Sequence, residues 1–142
     1  MSTEAAVRSP GRSVAVALAL RVLVSVALAV DAVVHLRLAS TYQFAATEGI
    51  GQGNLFRIAA VAAIAAALFV LARGSRTAYA AAFLVAASAF GAVVLYRYVD
   101  VPAFGPLPSM YEPVWFFEKS LSAVAEGAGA VFAGLGLWLT RR

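Results

Sequence analysis

The 142-residue chain has no cysteine. This excludes disulfides, thiolate metal sites and cysteine nucleophiles. It has one histidine, His35, so a metal site built only of imidazoles would need further chains. Charged residues make up 13% of the chain, against about 25% in a soluble globular domain. Proline is confined: four of the five, Pro102, Pro106, Pro108 and Pro113, fall in one stretch. No HExxH-type metal motif occurs, and no strand-turn-helix elbow presents a serine, so Ser/His/Asp catalysis is not expected.

What is present is apolar. Hydrophobic residues reach 63% and the mean hydropathy is +0.87. Four runs, at about 14–38, 55–72, 78–98 and 114–139, are each long enough for a membrane helix. The expected fold is all-α, a four-helix transmembrane bundle over residues 14–142 preceded by a polar tail at 1–13. The first run begins like a signal peptide, with Arg8 and Arg12, an apolar stretch and the triplet Ala27-Leu28-Ala29. It continues to Leu36 and Leu38, too far for such a leader, so it is read as a retained helix.

The connections carry their own signals. Residues 39–54 form a loop with Gly49, Gly51 and Gly53, and Asn54 is the expected N-cap of the second helix. Arg73-Gly74-Ser75-Arg76 is a tight turn. Residues 99–113 hold the prolines, which fix φ and remove amide donors, so a stiff lid is expected there. Pro113 suits the first position of the fourth helix.

A net charge of +4 and a pI near 10.0 would suggest nucleic acid, but the arginines sit where topology signals sit. Arg8, Arg12, Arg73, Arg76, Arg141 and Arg142 share one side with a single acid, Glu4. The positive-inside rule then puts both termini in the cytoplasm and both long loops outside, in a cytoplasmic membrane. The expected partners are the lipid bilayer and a homo-oligomer or larger membrane complex, with no nucleic acid. On the fourth helix, Ala125, Gly129 and Ala133 repeat every four residues, a pattern that allows close helix packing.

The anomaly is Glu126. Counted from Val114 it lies about 18 Å along its helix, near the middle of a hydrocarbon core about 30 Å thick. A charge there costs about 2.5–3.5 kcal/mol even on insertion scales. Asp31 and His35, four apart, share one face of the first helix, and Asp31 lies about 10 Å below Leu38. Lys119, Ser122 and Glu126 share a stripe on the fourth. Arg57, Tyr96, Arg97 and Glu118 complete a polar set in the expected outer half. Two readings stand: buried ion pairs that fix helix register, or a ligand site. Asp31, His35 and a carboxylate such as Glu118 or Glu126 form a set suited to Zn, Mn or Fe. No cofactor is specified by the sequence.

The run YRYVDVPAFGPLPSMYEPVWFFEKSLSAVAE at 96–126, with the Asp31–His35 end of the first helix and GNLFR at 53–57, resembles a group of actinobacterial four-helix membrane proteins. That resemblance implies the fold and no activity. In helix count and size the chain is also similar to DoxX-like proteins, some of which are linked to quinone-coupled sulfur oxidation. No site residue is carried over from either. The expectation is a non-catalytic accessory or oligomeric membrane component with an outward polar pocket for a partner or small ligand. The alternative is a redox or transport protein binding a metal, quinone or small anion at the charged cluster.

Overall fold

A computed structural model describes residues 10–45 and 49–141. They form four helices and, among the described residues, no strand: α1 (Pro10–Tyr42), α2 (Gln52–Arg73), α3 (Arg76–Tyr98) and α4 (Phe117–Leu139). All four are long and apolar enough to cross a membrane. Each packs on its neighbours in the order α1, α2, α3, α4 and back to α1, with slight contact across the α1–α3 diagonal. The α1–α2 and α2–α3 connections are short, and the longer α3–α4 segment returns to the end of α3, where Glu112 N–H donates to Tyr96 O, so the bundle is up-down-up-down.

The interior is small and the exterior bulky. Leu20, Val24, Leu28 and Ala32 recur every four residues on α1 and face a core of Ala60, Ala63, Val70, Ala78, Ala82 and Ala133. Val61, Leu84, Val124 and Val131 point away from it, each 66–70% exposed. Water would penalise that arrangement, whereas lipid solvates the bulky faces and leaves small residues to bring backbones together. A Cβ on Gly53 would lie 2.7 Å from both Ala39 O and Gln43 Cα, so α2 rests directly on the α1 backbone. Gly136 is pressed against the Tyr79 ring in the same way.

The boundaries differ from the expected ones for identifiable reasons. α1 extends to Tyr42, past the expected end at residue 38. α2 begins at Gln52, and its N-cap is Gly51 at φ 81°; Asn54 lies inside the helix and donates to Ile50 O at 2.9 Å. α4 starts at Phe117, so Pro113 is not its first residue. Residues before it are held extended: Glu112 N–H donates to Tyr96 O at 3.0 Å, and Phe116, the N-cap, has φ −132°. The α2–α3 turn is as tight as expected. Gly74 adopts the left-handed conformation, with φ 55°, and the Ser75 side chain accepts from Ala78 N–H at 3.2 Å. Arg21 is not a free cation at that end. Its guanidinium caps α2, donating to Val70 O at 3.2 Å and to Leu71 O.

The proline stretch is an ordered cover. It turns at Gly105, with Phe104 and Leu107 exchanging backbone hydrogen bonds of 3.0 Å. Pro106 O accepts from Ile50 N–H at 3.0 Å, which ties the cover to the α1–α2 loop.

Candidate functional site

α1 and α4 meet at a buried polar cluster. Asp31 and His35 come from α1 and Ser122 and Glu126 from α4; all are at most 7% exposed. At about 1.5 Å per residue Glu126 lies about 14 Å in from Phe117, close to half of a 30 Å core. Ser122 Oγ stands 3.0 Å from Asp31 Oδ1 and 2.8 Å from Glu126 Oε1. The i, i+4 spacing on each helix makes this meeting possible, since it stacks the two polar groups of each helix on one face.

The geometry assigns the imidazole tautomer. His35 Nδ1 lies 2.9 Å from the Asp31 carbonyl oxygen and 3.0 Å from Asp31 Oδ1. A carbonyl only accepts, so Nδ1 carries the hydrogen and, in the neutral ring, Nε2 carries the lone pair. Nε2 faces Glu126 Oε1 at 3.9 Å. Phe56 packs edge-on against the ring, 5.5 Å between centroids. The other Glu126 oxygen, Oε2, is buried without a hydrogen-bond partner. Among the described residues no lysine or arginine pairs with either carboxylate.

Above the cluster lies a pocket of about 350 Å³. His35 and Ser122 form part of its wall, with Phe56, Ala59, Ala89 and Val93 among its apolar residues. The cover closes over it. Leu107 and Met110 line the pocket, and Tyr42 Oη donates to Glu112 Oε2 at 3.1 Å across its mouth. Lys119 is buried here, 8% exposed, but serves the cover: its ammonium donates to Glu112 O and to Val114 O, the latter at 3.3 Å, and lies 5.5 Å from the Trp115 ring.

The expected polar set thus divides. Asp31, His35, Ser122 and Glu126 form one cluster, and Tyr96 and Lys119 line the pocket with His35 and Ser122. Arg57 does not join them; it is exposed and bonded to Asn54 at 2.9 Å and Gln43 at 3.5 Å. Arg97 stacks over Tyr98 and Trp115, 4.7 and 5.8 Å from the ring centroids, away from the pocket wall. Glu118 faces a separate groove between α1 and α4, with Arg37 and Phe117. It sits one residue before Lys119, about 100° around the helix, so the two cannot share the inward face. Sequence reasoning missed the Tyr42–Glu112 closure, for which a separation of 70 positions gives no local signal. It also missed the pocket walls, because Ala59 and Ala89 look like any other alanine of an Ala-rich helix.

Three residues offer metal-type donors at one place: one donor atom each from Asp31, His35 and Glu126 lies within 4.8 Å of the other two. The chain matches no family model, no curated protein and no solved structure.

Proposed function

We propose that the chain is a multi-pass protein of the cytoplasmic membrane, with both termini cytoplasmic, whose pocket opens outward and holds a small, mainly apolar molecule with one polar head. The observation that carries this reading is the covered pocket itself. Its volume of about 350 Å³ falls in the range of small-molecule sites, roughly 300–1,000 Å³. Its walls are mostly apolar; Tyr42, Gln52, Glu112 and Lys119 line it toward the cover, and His35, Ser122 and Tyr96 are placed to orient a carbonyl or hydroxyl. The arginine distribution supports the orientation, since it concentrates positive charge at the α2–α3 turn and the two termini. The role is that of a binding component within a homo-oligomer or larger membrane complex.

The test is extraction. Protein purified from its own membranes in mild detergent is treated with organic solvent, and the extract is analysed by mass spectrometry. The expected result is one small apolar compound at about one per chain, reduced more than tenfold in Ala59→Phe, whose ring would fill the pocket. Bulk phospholipid alone, in equal amount from both proteins, contradicts the reading. A single cysteine at Gly105, in a chain with no other, tests orientation. Labelling of intact cells by a membrane-impermeant maleimide is expected, and labelling only after lysis contradicts it.

A further inference from the structure

The cluster beneath the pocket has a charge problem that the pocket does not explain. Asp31 and Glu126 are each 1% exposed, and one serine hydroxyl stands between them. That hydroxyl has a single hydrogen for two carboxylates. Among the described residues the one other side chain in salt-bridge range of the two carboxylates is His35, and its Nδ1 hydrogen is already directed at Asp31. Among the described residues Glu126 Oε2 has no hydrogen-bond partner. Buried carboxylates without compensating charge are costly in any protein interior and more so at membrane depth.

We propose that Asp31, His35 and Glu126 bind one divalent transition-metal ion of the zinc, manganese or iron(II) class. Three features support the site. Two carboxylates match the charge of one divalent ion, and the neutral imidazole adds a nitrogen ligand without changing the sum. The tautomer suits an ion at Nε2: Nδ1–H is held by the Asp31 backbone carbonyl, which leaves the Asp31 carboxylate and the Nε2 lone pair for the ion. Metal-binding histidines are commonly oriented by such a bond on the opposite nitrogen. Distances come close. Donors around a tetrahedral ion with bonds of about 2.0–2.1 Å stand about 3.3–3.4 Å apart, and His35 Nε2 and Glu126 Oε1, at 3.9 Å, reach that by a small approach of the two side chains. One donor atom from each of the three residues lies within 4.8 Å of the other two, and gathering them around one ion takes a relative side-chain movement of about 1.5 Å. Three protein ligands leave a position open for a further ligand, and His35 and Ser122 place it beside the pocket. The metal site stands whether or not the pocket holds a ligand.

The test uses the full chain in detergent micelles, stripped with EDTA and then dialysed free of it. Co²⁺ is titrated while the visible d–d bands are recorded, and Zn²⁺ binding is followed by calorimetry. One ion per chain is expected. Glu126→Gln and His35→Ala are expected to weaken Zn²⁺ binding at least 100-fold while the helical circular dichroism persists. Ala59→Phe is expected to retain the metal even where it loses the pocket compound, which separates failure of this site from failure of the pocket reading. No d–d bands at millimolar Co²⁺, or Zn²⁺ affinity unchanged in both ligand variants, overturns the proposal. If neither variant folds, the wild-type Co²⁺ spectrum decides.

Discussion

His35 Nε2 faces Glu126 Oε1 across 3.9 Å, too far for a direct hydrogen bond and close enough for one atom to bridge. The relation depends on where the imidazole hydrogen sits. With Nδ1 donating to the Asp31 carbonyl at 2.9 Å, the lone pair must point toward Glu126. The chain has one histidine, so its ring nitrogens give an unambiguous signal. ¹⁵N NMR of EDTA-treated protein, at a pH alkaline enough for a neutral ring, is expected to show a protonated Nδ1 and an unprotonated Nε2. The opposite tautomer would mean that Asp31 does not orient the ring.

Ser122 serves two acids from one side chain. Ser122→Ala removes the hydroxyl near both Asp31 Oδ1 and Glu126 Oε1 and leaves buried acceptors unsatisfied. A loss of about 1–3 kcal/mol is expected, read as a lowered thermal midpoint of the EDTA-treated protein in detergent. An unchanged midpoint would show that the hydroxyl contributes nothing to holding α1 against α4.

Two glycines predict opposite outcomes for the same substitution. A methyl at Gly53 meets α1 backbone atoms at 2.7 Å, and backbone cannot step aside as a side chain can. Gly53→Ala is expected to cost about 1–3 kcal/mol by forcing α1 and α2 apart. Gly91, within α3, has nothing within 4 Å of its added carbon. Gly91→Ala is expected to be neutral or to stabilise by up to about 1 kcal/mol, as helix propensity dictates. Comparing the two thermal midpoints checks both statements, and equal effects would contradict the close α1–α2 packing.

The cover is docked at Gly49. Its φ of 73° suits glycine, and an added Cβ would collide with Pro106 O. Gly49→Ala is therefore expected to loosen residues 99–116 while leaving the helices intact. Limited proteolysis within that stretch should accelerate severalfold with unchanged helical circular dichroism. Equal cleavage rates would show that the Ile50–Pro106 hydrogen bond does not hold the cover down.

The four helices were legible because apolar runs of spanning length have few alternatives, and the Gly74-Ser75 turn because both residues carry conformational signals. The pairing of Asp31 and His35 with Ser122 and Glu126 was legible in part, since i, i+4 spacing puts each pair on one face. That the two faces meet was not, because it depends on which helices are neighbours. Arg57, Arg97 and Glu118 show the limit of reading by depth alone. Each lies near the right level, but rotation about the helix axis or a nearer partner takes it elsewhere: Asn54 for Arg57, aromatic rings for Arg97, and the Arg37 groove for Glu118. The start of α4 was misplaced because Pro113 is compatible with a first helical residue. Tertiary hydrogen bonds of the Glu112 backbone with Tyr96 and Lys119 keep that stretch extended instead.

The central claim is that the covered pocket holds a small molecule, and native mass spectrometry tests it most directly. Wild type and Ala59→Phe would be purified from native membranes in mild detergent and released gently from the micelle. The account predicts that wild-type chains, alone or as a homo-oligomer, carry one small apolar mass per chain, and that Ala59→Phe appears without it in the same assembly. Wild-type chains of bare polypeptide mass, or an added mass that Ala59→Phe retains undiminished, would contradict it.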